Sequence, residues 1–335
     1  MSMQSLANHP FDVSIVIVSL NTRDVLRECL ESVRRNQRSL RVQIIVVDNN
    51  SRDGSQEMLE SEFPEVLLIR SQVNLGFGGA NNLGFQSALG RYIVLLNSDA
   101  FLSEGALECS VEHMDQNPNA GLGGGRLIGR DGSWQPSARK FPTILDDLIV
   151  RTGLAARFPR SRFFGRFDRT WANVMEAAEV DWVPGAYSII RTEVLSAVGV
   201  FDERFFLYCE EVDLCKRIKA LGCSIFYWPD IVIVHIGGES SRQMKTLELS
   251  KIGSQLTLWR MRSALLYYRK HSGLLTTALA MMVEIFWYWL RFFRRQFSSN
   301  PDRRSSARTE LRLAGTMAQA WRETKGGKFS PAQPW

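Results

Sequence analysis

An alternation of two hydrophobic periods constrains this chain more than any other feature. Val13 to Ser19 is a β-branched apolar run, Arg23 to Arg35 places Val25, Leu26, Cys29, Leu30 and Val33 at helical spacing, and Val42 to Val47 is apolar again before Asp48. Each segment can bury its apolar face only in the conformation its period matches, so the chain opens β-α-β. The pattern continues with a helix from Asp53-Gly54-Ser55 through Leu59, a strand at Val66 to Ile69 and a helix from Gly79 to Leu89. A strand about Ile93 follows, then a helix from Ser103 to Asn117 before Pro118. Alternation of this kind requires an α/β fold, a mostly parallel sheet with helices on both faces. Gly121 to Gly125, the Asp131-Gly132 turn and the Arg- and Phe-rich segment to Trp171 read as loops and short elements, and no internal repeat is evident.

Three strands end in polar groups: Ser19, Asn21 and Arg23 after the first, Asp48-Asn49-Asn50-Ser51 after the second, and Asn97-Ser98-Asp99 after the run Arg91 to Leu96. In an open α/β sheet ligands collect in the crevice beyond such ends. A pyrimidine nucleotide needs an acceptor for its ring N–H, hydroxyl or amide groups for its ribose and a cation for its diphosphate. Asp48 suits the first role, and Asp99, an oxygen donor for a divalent cation, the third; turn residues and helix caps are the alternative reading. Gly76, Gly79 and Gly84 lack dinucleotide spacing and come after the third strand; they suit a helix start where backbone N–H groups or Asn82 approach a nucleotide sugar.

Further along, Glu210, Glu211 and Asp213 stand ahead of a helical pattern. Neighbouring carboxylates raise one another's pKa, which suits a general base, while an acidic helix N-terminus is the structural alternative. The apolar run Ile231 to Val234 ends at His235, a strand-end imidazole that could join Asp99 on a metal.

Five cysteines without a CxxC pair read as reduced thiols in a cytosolic setting, and Met1 to Pro10 lacks the basic flank and apolar core of a signal peptide. The net charge of +6 is unevenly spread, with seven Arg between Arg291 and Gly315. They follow Gly273 to Leu290, which is apolar apart from Thr276, Thr277 and Glu284 and carries Trp287, Tyr288 and Trp289. The segment is short for a membrane span, and aromatics beside a basic flank suit an interfacial helix equally. An internal or homodimer-forming helix is the remaining reading. The basic residues are assigned to a membrane surface and not to nucleic acid.

Taken together, Ser14 to Asn21, Val46 to Ser55, Asn74 to Gly84, Leu95 to Asp99, Val183 to Ala186, Gly199 to Arg217 and His235 to Ser240 resemble, in order, family 2 glycosyltransferases of the Rossmann-like GT-A fold. The similarity is to their bacterial rhamnosyltransferase-like branch. The resemblance implies a catalytic domain over residues 1–245, with a nucleotide-sugar half near 12–120 and an acceptor half near 121–245. A helical C-terminal region of 246–335 would attach to the membrane through 273–297. It implies that Ser19, Asn21 and Asp48 hold the base and ribose and that Asp99 serves the diphosphate, with Asn50, Asn82 and Asn97 as further candidates for contact with the nucleotide. Asp99 and His235 would hold Mg²⁺ or Mn²⁺. Glu211 would be the base within Glu210, Glu211 and Asp213, and Trp182, Gly185 and Ala186 would border the acceptor, with Trp182 a stacking platform or a buried anchor.

Two departures from the family pattern are visible: Glu211 stands where Asp is commoner, and Asn97 leads the metal motif. The implied reaction is inverting transfer of a sugar, from a dTDP- or UDP-sugar and by resemblance dTDP-rhamnose, to a lipid-linked saccharide at the cytoplasmic face of a bacterial inner membrane. A nucleotidyltransferase and an inactive homologue serving as a scaffold are the alternatives.

Overall fold

The computed structural model describes residues 9–237 and 254–331; the signal-peptide reading of residues 1–8, the 238–240 end of the His235 segment and residues 246–253 of the C-terminal region lie outside the described residues. The first elements are β1 (Phe11–Ser19), α1 (Arg23–Asn36), β2 (Val42–Asp48), α2 (Ser55–Glu62), β3 (Leu67–Arg70), α3 (Gly76–Ser87), β4 (Gly90–Asn97), β5 (Ala100–Leu102) and α4 (Ala106–Gln116). Next come β6 (Ala120–Ile128), β7 (Trp134–Gln135), α5 (Ile144–Arg151), α6 (Leu154–Arg157), β8 (Ala178–Glu179), β9 (Tyr187–Arg191), α7 (Thr192–Val198), α8 (Glu210–Ala220) and β10 (Ser224–His235). The C-terminal helices are α9 (Ser254–Gln296), α10 (Pro301–Ser305) and α11 (Ala307–Glu323).

The strands form one sheet in the order β3-β2-β1-β4-β9-β6-β10-β5, with β7 on β6 and β8 on β10. Strands β1 to β4 are mutually parallel, and β9 runs antiparallel between β4 and β6. The chain therefore has the mostly parallel, helix-flanked sheet that its alternation demands. Val13, Ile15, Ile17, Val46, Val94 and Leu96 are sealed in its main core with Leu26, Leu30 and Val33 of α1. Each such side chain contributes about 1.5–3 kcal/mol on burial.

Gly121 to Gly125, expected as loop, lie instead inside β6, a strand flanked by β9 and β10. The ring of Trp228 fills the space a Gly123 side chain would need, and Val183 the space beside Gly124. The glycines are there because neighbouring side chains close over the strand, a reason invisible in local sequence.

The chain divides into two compact units, Met1–Asp202 with Glu211–Ser240, and Glu203–Glu210 with Ser241–Trp335. Glu203–Glu210 fall in the C-terminal unit although they lie in the middle of the sequence. In that unit α9 breaks at Gly273, whose φ of 81° suits glycine. Leu258, Met261 and Leu265 before the break and Tyr288 after it share a core with Ala314, Met317 and Ala320 of α11.

Candidate active site

Strand β1 is the switch point of the sheet: β2 and β3 lie to one side of it, β4 to the other. Register places Ser19 opposite Asp48 and Val18 opposite Asn97, so three polar strand ends open on one crevice. Asp48 is fully buried there. Its Oδ1 accepts hydrogen bonds from the Ser51 N–H at 3.0 Å and Gln56 Nε2 at 2.7 Å, while its buried Oδ2 has no hydrogen-bond partner. An unsatisfied buried acceptor costs about 1–3 kcal/mol, and a ligand N–H would remove that cost.

The neighbouring polar residues are more occupied. Ser19 lies 3.0 Å from the Thr22 hydroxyl, which donates to Ser98 at 3.1 Å, so its hydroxyl faces a buried chain of hydroxyls. Asn21 and Asn50 hold left-handed φ angles of 52° and 74°, which Asn tolerates better than most residues. Asn21 also accepts from the Arg52 N–H at 2.8 Å, a turn-holding role. The amide of Asn82 both donates to and accepts from the Phe201 backbone at 3.0 Å, bracing α3 against that segment where an approach to the sugar was expected.

Asp99 and His235 do meet. Antiparallel pairing of β5 with β10 sets Ala100 opposite His235, and the Ile236 N–H donates to the Asp99 carbonyl at 3.0 Å. Asp99 Oδ1 is 3.5 Å from His235 Nε2, with both side chains largely buried. His235 Nδ1 lies 2.8 Å from Gln135 Oε1, and Gln135 Nε2 donates to the His235 carbonyl at 2.8 Å. A proton on Nδ1 leaves the Nε2 lone pair facing Asp99, so one nitrogen and a carboxylate converge as a donor set that fits a divalent cation.

The acidic trio separates by role. Asp213 is fully buried and bonded to Arg217 Nε at 2.9 Å; that guanidinium clamps the carbonyls of Val198, Gly199 and Val200 at 2.6, 2.9 and 2.8 Å. Its carboxylate is thus committed to holding a turn, against the expectation that it is a candidate base. Glu210 opens α8 but falls in the other unit from Glu211. Glu211 is half-buried as a residue, yet its Oε2 is sealed from solvent with no hydrogen-bond partner. Burial pushes its carboxyl above the ordinary glutamate range, and the positive charge of Arg139 opposes the shift only in part. Just before the trio, Tyr208 and Cys209 hold consecutive left-handed φ angles of 73° and 69°. Such strain persists where surrounding structure enforces it, commonly at sites.

Trp182 is a buried anchor and no open platform: only 5% of it is exposed, and its Nε1 donates to the Lys140 carbonyl at 2.8 Å. The Ala186 carbonyl accepts the Asn97 N–H at 3.0 Å, and a Cβ on Gly185 would stand 3.0 Å from the Phe77 ring, so the segment entering β9 brings both residues to the end of β4. Sequence reasoning missed Gln135 and Arg139. Arg139 lies over the rings of Trp182 and Phe167 at 5.0 and 5.6 Å and pairs with Asp168 at 3.0 Å. Neither residue sits in a periodic segment or a motif.

All five cysteines are free thiols. One of them joins a second group of metal-capable atoms: Cys109, His113 and Asp230 lie within 4.8 Å of one another. Cys109 donates to Asp230 at 3.2 Å, and His113 Nε2 is 2.7 Å from the same oxygen, which ties α4 to β10.

The sequence model of Glycosyl transferase family 2 matches residues 14–180. N-acetylglucosaminyl-diphospho-decaprenol L-rhamnosyltransferase of Mycobacterium tuberculosis (strain H37Rv) is 30% identical over 189 residues, which cover 52% of this chain and 59% of that protein. Rhamnosyltransferase WbbL of Escherichia coli K12 is 26% identical over 180 residues, 50% of this chain and 63% of that one. The chain thus spans about three fifths of the length of the curated relatives it matches. A mannosyltransferase of Pyrobaculum calidifontis, solved in complex with GDP-Man and Mn²⁺, superposes with a TM-score of 0.51 at 15% identity. That match covers 94% of this chain and 81% of the other, a likeness of fold alone.

Proposed function

The chain belongs to glycosyl transferase family 2, in its rhamnosyltransferase-like branch, and from that premise we propose that it is a metal-dependent inverting glycosyltransferase. Its donor is a nucleotide-activated sugar, dTDP-rhamnose by the kinship of its relatives, and its acceptor a lipid-linked saccharide in cell-surface polysaccharide synthesis. The observation that carries this reading is the Asp99–His235 pair just beyond the end of β4, together with Asp48 at the end of β2, whose buried Oδ2 has no hydrogen-bond partner.

In this reading Asp48 Oδ2 accepts the ring N–H of a pyrimidine, and Asp99 with His235 Nε2 would hold a divalent cation. The structural neighbour solved with GDP-Man and Mn²⁺ supports the choice of metal. When bound, the cation supplies positive charge to the diphosphate as it leaves. Glu211 removes the proton of the acceptor hydroxyl, which then attacks the anomeric carbon from the face opposite the departing nucleotide. A carboxyl raised toward neutrality by burial is better matched to that task than an exposed one.

The C-terminal unit contains a helix long and apolar enough to cross a membrane. We assign that helix to membrane attachment, with the crevice open to the cytosol, where nucleotide sugars are made. The test is to incubate the full chain with Mg²⁺ or Mn²⁺ and a panel of nucleotide sugars, following hydrolysis and thermal stabilisation. A dTDP- or UDP-sugar should stabilise the protein only with metal present, and Asp99→Ala should abolish the metal-linked part. Metal-dependent stabilisation unchanged in a folded Asp99→Ala protein removes Asp99 from the site.

A further inference from the structure

Beyond Gly273, the side of α9 turned from its partner helix is apolar and uncovered. Leu275, Leu279, Met282, Phe286 and Phe293 recur at steps of three, four or seven, and Phe297 continues the series in the turn just past the helix; Leu275 is 86%, Phe286 68% and Phe297 82% exposed. At about 100° per residue they fall within one narrow stripe. The opposite side is the packed one: Thr277 and Tyr288 are buried, and Glu284, the carboxylate most costly to place in hydrocarbon, is buried and bonded to the Tyr288 hydroxyl at 2.8 Å. A spanning helix would have to satisfy lipid all round, whereas this one offers lipid one face. Exposed apolar side chains aligned on one face in this way mark a docking surface.

What docks there is indicated by charge. Arg291, Arg294, Arg295, Asp302, Arg303 and Ser306 line a cleft of about 350 Å³ between the last turns of α9 and α10, with Arg294 on the flank of the stripe. Arg291 and Arg295 share one carboxylate, Glu310, at 2.9 and 3.0 Å, and Arg295 also donates to the Ser306 hydroxyl at 3.1 Å. Arg294 and Arg303 remain exposed. Four guanidiniums against Asp302 and Glu310 leave the cleft positive, with planar donors suited to phosphate oxygens. An apolar stripe flanked by a cationic cleft suits the boundary between the acyl chains and the phosphates of a bilayer.

We propose that the second half of α9 lies along the membrane surface, its stripe in the acyl boundary and the arginine cleft on the phosphate of an anionic phospholipid. This deepens the membrane attachment proposed above and does not depend on the transferase chemistry. The full chain is mixed with vesicles of phosphatidylcholine, alone or with phosphatidylglycerol, and pelleted. Binding should be markedly tighter to the anionic vesicles. The double variant Arg294→Ala/Arg303→Ala should lose about 30-fold on anionic vesicles, at the scale of surface arginines near anionic lipid, and little on neutral ones. Phe286→Ser/Phe297→Ser should weaken binding to both.

All four changes are on exposed side chains, so the variants should fold and keep metal-dependent stabilisation by the nucleotide sugar that stabilises the parent. Equal binding to both vesicle types, or an arginine variant that binds like the parent, overturns the lipid-phosphate site. A protein that ignores vesicles but is dimeric, and turns monomeric in the phenylalanine variant, gives the stripe to a second copy and overturns the proposal. If no nucleotide sugar stabilises even the parent while the vesicle results hold, the transferase reading fails and the lipid site stands.

Discussion

At the scale of single residues, Glu211 and Asp213 show how two carboxylates two positions apart take different work from their surroundings. Asp213 is tied to Arg217, whereas Glu211 has a sealed oxygen with no hydrogen-bond partner. Glu211→Gln, nearly isosteric and unable to take a proton, should lower turnover by about 10²–10⁴-fold with little change in donor affinity. Its effect on stability has a definite sign. Because the folded-state pKa of Glu211 is raised, the folded protein binds more protons than the unfolded chain from the ordinary glutamate pKa of 4.5 up to the raised value. Stability therefore falls as pH rises through that window. Glu211→Gln should unfold at higher denaturant than the parent near neutral pH, and the advantage should vanish as pH falls below 4.5; an advantage that grows in acid contradicts the raised pKa. Asp213→Asn should instead destabilise by about 3 kcal/mol, since it leaves Arg217 facing a turn without its counter-charge.

At the scale of elements, β6 and α8 make opposite points about local sequence. The glycines of β6 read as a loop because glycine is rare inside strands, yet the strand exists because Trp228 and Val183 occupy the room that side chains would take. Gly123→Ala should therefore cost about 1–3 kcal/mol by overpacking against Trp228, read as a lower denaturation midpoint with an unchanged slope. Helix α8 was legible from its pattern, but the division of labour among its first residues was not. It depends on Arg139 and on Val198 to Val200, which lie far away in sequence.

At the scale of the whole molecule, the C-terminal region is a packed helical unit and not an appended anchor. Leu258, Met261 and Leu265 rest against α11, so a chain cut after Lys270 would uncover them. Such a truncation should aggregate, whereas the full chain with Phe286→Ser/Phe297→Ser should gain solubility; light scattering distinguishes the two. Bound to native membranes, the full chain should be only partly released by high salt, because ions screen the arginines but not the burial of Phe286 and Phe297. Full release by salt alone would show that the apolar stripe takes no part.

The α/β alternation, the polar ends of β1, β2 and β4, the family, and the apolar segment beyond Gly273 are all legible in the amino-acid order. These are carried by periodicity or by runs of adjacent residues, which survive without any knowledge of neighbours. Tertiary structure alone decided which polar groups remain available. Asp48 keeps a buried oxygen without a hydrogen-bond partner, while Asn82 and Trp182 are bonded into the scaffold. His235 reaches Asp99 with its tautomer set by Gln135, a residue with no sequence signal. The reason is that a polar side chain's role is set by the partners that long-range strand pairing brings to it. Hydrophobic patterning specifies only that the strands will pair.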